Sequence, residues 1–266
     1  MRKTPLLAVV VALAITGTTR AATISITTAD GLGADTHVRN DVTSPANNAF
    51  NYGSATSMLL GSNAGNTPSS LLNLLLRFDL SALQTAAAGS AITVNSITLS
   101  LTTAATAGGA SGGLPFTVGL HDYGFSFVEG SANGTAQAGS STYLNPAGDG
   151  SDTTAGGTAG NSLQTLSITS VGINTVWTFS SSAAFIADIQ NAYAPAGTSV
   201  LNYLLKETDT GGDWATDQTF VRINSGEATP AELRPTLTID YSVVPEPTTA
   251  LLGLSGILAM VFWRRR

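Results

Sequence analysis

The chain contains no cysteine and only two histidines, and charged residues make up just 11% of its 266 positions. The first absence excludes disulfides, thiolate nucleophiles and Cys-ligated metals, so the fold has to be held by its core alone. The second leaves His37 and His121 to carry any imidazole chemistry. Long helix-forming runs of Glu, Lys and Leu are missing as well, while Gly, Ser, Thr and Ala abound, a composition that points to strands and loops.

Positive charge is scarce and oddly placed. Six of the 11 basic residues lie near the two ends, as Arg2, Lys3, Arg20 and Arg264 to Arg266. Residues 22–244 keep five basic against 16 acidic residues, a formal net charge of −11. Such a body is repelled by a phosphate backbone and carries no basic stripe, which excludes nucleic acid as a partner. An acidic surface either maintains solubility or recruits cations such as Ca²⁺.

The ends read as targeting segments. Arg2 and Lys3 precede an apolar stretch from Leu6 to Ile15, and Thr19-Arg20-Ala21 fits a small-x-small cleavage site, so residues 1–21 form a signal peptide, with a cut after Ala22 as the alternative. At the other end stand Pro245-Glu246-Pro247, an apolar run of 14 residues from Ala250 to Trp263, then Arg264, Arg265 and Arg266. A helix of that length spans roughly 21 Å, short of the ~30 Å hydrocarbon core, and could hold a protein at the membrane only marginally. Terminal arginines favour the cytoplasmic side, which places everything before Pro245 outside.

This order of parts closely resembles the PEP-CTERM sorting signal of Gram-negative bacteria that secrete exopolysaccharide. The resemblance implies that residues 245–266 anchor the chain transiently in the inner membrane. It further implies that an exosortase-type transpeptidase cuts near Pro245-Glu246-Pro247 and passes the protein to the cell surface or extracellular matrix. An uncut anchor helix is the alternative, and both readings give an exported protein.

The 223 residues between these ends match one large all-β domain. Alternation of apolar and polar residues predicts strands over Ile24–Thr28, Asp35–Arg39, Ser57–Leu60, Ile92–Leu101 and Phe116–Leu120, with others at Val200–Leu205, Thr219–Ile223 and Thr236–Tyr241. Leu71 to Leu80 is the strongest core strand, with Leu72, Leu74, Leu76, Phe78 and Leu80 on one face. Its other face carries Asn73, Leu75, Arg77 and Asp79, the last two able to pair. Ser182 is placed to cap the one expected helix, whose apolar side is Phe185, Ile186, Ile189 and Tyr193. Residues 130–161 are so poor in large apolar groups that a long mobile loop is expected. About ten alternating strands predict an antiparallel, jelly-roll-like β-sandwich.

Several segments between residues 32 and 242 together resemble the DNRLRE-type domain, a β-sandwich of exported proteins with relatives among carbohydrate-binding modules. They are Asp35-Thr36-His37-Val38-Arg39-Asn40, Asn51-Tyr52-Gly53, Leu75-Leu76-Arg77-Phe78-Asp79-Leu80, Ser225-Gly226-Glu227 and Leu233 to Tyr241. The chain departs from that pattern at Gly226, where Arg is frequent, and at Phe127, where Trp is usual. Ion pairs among Arg39, Arg77, Arg222 and Glu227 are expected to stabilise the sandwich rather than form a site.

Candidate chemistry is sparse. Glu207, Asp209, Asp213 and Asp217 crowd one loop with Gly211 and Gly212, a set of oxygen donors able to wrap Ca²⁺. A second acidic pair is Asp149 and Asp152. Trp214 in the first loop can stack on a sugar ring while Asp213 accepts from its hydroxyls, whereas Trp177 looks like core. His121 beside Asp122, with Tyr123, is the one candidate general base for a lyase. The expectation is therefore a non-enzymatic, exported matrix component or polysaccharide-binding module without an obligatory cofactor. A polysaccharide lyase or hydrolase and a protein-binding adhesin are the alternatives.

Overall fold

A computed structural model describes residues 20–41, 43–63, 70–104, 116–169, 171–194, 197–208 and 219–244. The strands are β1 (Arg20–Thr27), β2 (Ala34–Arg39), β3 (Phe50–Asn51), β4 (Ser57–Asn63), β5 (Ser70–Asp79), β6 (Ile92–Thr102) and β7 (Phe116–Asp122). They continue with β8 (Thr135–Ala136), β9 (Ser162–Ile168), β10 (Val176–Ser180), β11 (Val200–Glu207), β12 (Thr219–Asn224) and β13 (Thr236–Val243). Two α-helices are described, α1 (Ser81–Ala86) and α2 (Ala183–Tyr193).

All pairings are antiparallel, as expected. The small sheet runs β1-β13-β6-β10 and the large one β12-β4-β5-β11-β7-β9, with β2 also paired to β5. Leu72, Leu74, Leu76, Phe78 and Leu80 are all sealed from solvent, as the period-two reading requires. A single apolar core draws Leu74, Leu76 and Phe78 from the large sheet and Ile97, Leu99, Leu237 and Ile239 from the small one, which makes the molecule an all-β sandwich.

Helix α2 closes one end of that core. Ser182 caps it by accepting the Phe185 N–H at 3.0 Å, and Phe185, Ile189 and Tyr193 are buried. Helix α1, a turn and a half with Leu83 inward, was not expected, and neither was strand β9.

The stretch expected to be a mobile loop is instead laid over the outer face of the large sheet. That face carries Val38, Leu75 and Leu204, three apolar side chains that need cover. Tyr123, Phe127 and Tyr143 supply it, and Ser140, Ser141, Ala147 and Asp152 are buried with them. Composition missed this because a few aromatics anchor the segment while hydrogen bonds to its backbone do the rest. Asn51 donates to the carbonyl of Ser141 at 3.0 Å, and Asn73 donates to that of Gly156 at 2.9 Å. Gly156, with φ of +81°, lies so close to Asn73 and Tyr143 that a side chain there would collide.

Arg77 and Asp79 do not pair with each other as expected. Both grip Leu32: Arg77 Nε donates to its carbonyl at 2.6 Å, and its N–H donates to Asp79 Oδ2 at 3.0 Å. The guanidinium also sits 5.2 Å from the centre of the Phe127 ring. Arg39 pairs with Asp41 at 3.0 Å, while Glu227 lies among carboxylates rather than arginines. The expected network of Arg39, Arg77, Arg222 and Glu227 is therefore replaced by local contacts.

Arg20 and Ala21, read as the end of the signal peptide, open β1, where Arg20 is paired with Val243. Residues 1–19 and 245–266, which hold the rest of the two segments read as targeting signals, are outside the described residues. Among the described residues no helix is long and apolar enough to cross a membrane.

Candidate functional site

Strand β7 ends at Asp122, and the chain then leaves the sheet through Tyr123, Gly124, Phe125 and Ser126. Opposite this turn stand Asp188 and Asn191 of α2 and the start of β11, from Val200 to Asn202. Together with Leu32 and Arg77 they line a cleft of about 620 Å³. That is within the usual range for small-ligand pockets.

One wall is aromatic. Tyr123 is buried and Phe125 half-buried, with ring centres 5.5 Å apart, and Phe125 leans on the cluster under the loop. The other walls are polar. Asp122 Oδ1 and Asn202 Oδ1 are sealed from water and accept no hydrogen bond. Asp188 lies on the flank of α2 between Phe185 and Ile189, and Tyr203 donates its hydroxyl to Asp188 Oδ2 at 3.1 Å. Burial pushes the Asp188 carboxyl above the ordinary carboxylate range, with neighbouring Asp122 adding to the shift and the Tyr203 bond opposing it. Arg77 brings a positive charge to the lining, but its Nε and Nη1 are committed to the carbonyls of Leu32 and Phe127 at 2.6 and 2.8 Å. The cleft therefore offers a ring face, the Asp188 carboxyl and the exposed Asn191 amide, and more negative than positive charge.

The sequence-derived sites fare unevenly. Trp214, Asp209, Asp213 and Asp217 fall outside the described residues, as do Pro245, Glu246, Pro247 and Arg264 to Arg266. Glu207 ends β11. His121 is in β7 opposite Leu204, on the outer face, and burial depresses its imidazole below the ordinary range. The Tyr123 hydroxyl is donated to Asp152 Oδ2 at 2.8 Å, so it is not free to assist His121. Asp152 also accepts from Thr154 and Thr158, which marks it as a loop anchor instead of half of a cation site. Trp177 is core, 4% exposed.

Sequence reading missed Phe125, Asp188, Asn191 and Asn202 as lining residues. Phe125 carried a usable signal, since Tyr123, Phe125 and Phe127 alternate with Gly124 and Ser126 directly after a strand. A group of acidic side chains was missed as well: Asp35, Glu129 and Glu227, 94 and 192 residues from the first to each of the others, bring one oxygen each within 4.8 Å of one another.

The profile of the PEP-CTERM protein-sorting motif matches residues 243–266. The motif indicates an exported protein that is sorted by an exosortase and held transiently by its C-terminus. No curated protein matches the chain.

Proposed function

We propose that this protein is a non-enzymatic, polysaccharide-associated surface module, released by an exosortase-type transpeptidase to the cell surface or exopolysaccharide matrix. The observation that carries this reading is the cleft beside α2, where the Tyr123 and Phe125 rings stand opposite the Asp188 carboxyl and the exposed Asn191 amide. Sugar rings present C–H faces that stack on aromatics and hydroxyls that donate to carboxylate and amide oxygens. The ligand is a neutral polysaccharide, because Asp122 and Asp188 in the cleft and a body charge of −11 repel uronate chains.

A DNRLRE-type reading of the sandwich has support from the way its pattern residues meet. Asn51 donates to the carbonyl of Glu129, Glu129 accepts from the Asp35 backbone, and Arg77 reaches Phe127 two residues before Glu129. The Trp214 and Asp213 contact belongs to this proposal as a second point of attachment.

Affinity electrophoresis of the full-length chain in mild detergent tests the reading. Retardation by a neutral glucan or galactan, lost in Phe125→Ala and kept in Val176→Ala, is the expected result. Equal mobility in every gel would overturn it. The hydrolase reading rests on Asp122 and Asp188 sharing the cleft with one carboxyl shifted upward. Oligosaccharide release that stops in Asp188→Asn would establish it instead.

A further inference from the structure

The geometry points to a divalent-cation site, of Ca²⁺ type by its donors, formed by Asp35, Glu129 and Glu227. The three residues come from the start of β2, from the segment that covers the outer face and from the turn between β12 and β13. Their oxygens lie within 4.8 Å of one another, the span of two Ca–O bonds of about 2.4 Å.

Asp35 forms the floor. It is 1% exposed, and its Oδ2 accepts the Gly226 N–H at 2.6 Å and the Thr28 hydroxyl. Its Oδ1 is sealed from water and accepts nothing. A buried carboxylate oxygen left unpaired is costly, and a bound cation removes that cost.

Glu129 forms the wall and Glu227 the solvent-facing rim. Glu129 is half-buried and takes the Asp35 N–H on Oε1 at 2.8 Å, whereas Glu227 is exposed, which leaves an entry path. Gly53 fixes this wall, because a side chain there would meet the Glu129 carbonyl at 2.1 Å. Gly226 lets the turn come down on Asp35, since a Cβ would stand only 3.1 Å from Oδ2.

Counter-charge is short. Arg77 attracts Glu129, but its Nε and Nη1 are spent on the carbonyls of Leu32 and Phe127, and no cation among the described residues acts on Asp35. Burial first, with repulsion from Glu227, pushes Asp35 to about 8 and Glu129 to about 7, and Glu129 adds to the shift of Asp35. A divalent ion would supply the missing counter-charge. An all-oxygen donor set with no imidazole or thiolate selects a hard cation over Zn²⁺. When bound, the ion ties β2 and the β12–β13 turn to the segment covering the outer face.

Titration calorimetry of the full-length chain with CaCl₂ alone, after EDTA treatment, tests the site, together with melting curves with and without Ca²⁺. One ion per chain is expected, with a Kd in the range of about 10⁻⁵ to 10⁻³ M and a raised Tm. Asp35→Asn and Glu227→Gln should each weaken binding at least tenfold, by the loss of one anionic ligand of three. Glu227 is exposed, so its variant keeps the fold and decides the matter if Asp35→Asn fails to fold. The combined Asp209→Asn, Asp213→Asn, Asp217→Asn variant should bind as the parent does. Absence of heat and of a Tm shift at millimolar Ca²⁺ would overturn the site. So would unchanged binding in Glu227→Gln, or loss of binding in the combined variant alone.

Discussion

Tyr123 donates its hydroxyl to Asp152 Oδ2 at 2.8 Å, across a buried gap between the end of a core strand and a segment made almost wholly of small residues. Burial first, and the Asp152 carboxylate second, lift the Tyr123 hydroxyl far above its ordinary range. The bond fastens the cover of the outer face at a point where the cleft also begins.

Tyr123→Phe keeps the ring but strands Asp152 without one of its donors. The variant should lose about 1–3 kcal/mol. Limited proteolysis should cut faster within residues 130–161 than in the parent. Unchanged cleavage would mean that the cover is held without this bond.

The central strand sets the stability of the sandwich. Leu76 is fully buried between the sheets, and Leu76→Ala should cost about 2–5 kcal/mol in urea unfolding. Val176, 56% exposed on β10, should tolerate Ala within about 0.5 kcal/mol. Similar losses at both positions would contradict the assignment of the core.

Asp41 gives the fold an acid-sensitive joint. Burial alone would raise its carboxyl, but hydrogen bonds from Asn47, Thr43 and Ser44 and the Arg39 guanidinium more than offset this and hold it below 3.8. A folded value below the unfolded one stabilises above the unfolded pKa, and that contribution is lost as pH falls through the folded value. Asp41→Asn should therefore cost about 1–3 kcal/mol at neutral pH, with the gap to the parent closing as pH falls below the ordinary carboxylate range. Melting curves at several pH values check it; a gap that does not change with pH would refute the ionic account.

Processing at the tail has its own signature. With Pro245, Glu246 and Pro247 all replaced by Ala, the chain should accumulate uncut in the membrane fraction instead of reaching the medium or cell surface. Immunoblots of the fractions would show it, and normal release would place the cut elsewhere.

Much of the sandwich was legible because its strands obey period two against a single core. Leu72 to Leu80 and Phe185 to Tyr193 were readable from spacing alone, since burial on one face forces that pattern. The cover of the outer face was not legible, because Tyr143 and Leu144 are the only large apolar residues in 130–161 and they define no period. The carboxylates Asp35, Glu129 and Glu227 were hidden for a related reason: they meet only after three distant segments are folded together. Asp188 looked like the polar side of an amphipathic helix, and only the approach of the turn after β7 turns it into the wall of a cleft.

We propose that the cleft beside α2 holds a polysaccharide without cutting it. The most direct measurement incubates the full-length protein with the producing organism's own exopolysaccharide, with Ca²⁺ or EDTA, and follows co-sedimentation and oligosaccharide release together. Co-sedimentation with no released sugar, lost in Phe125→Ala, is the predicted result. Neither co-sedimentation nor release, or release that depends on Asp188, would contradict it.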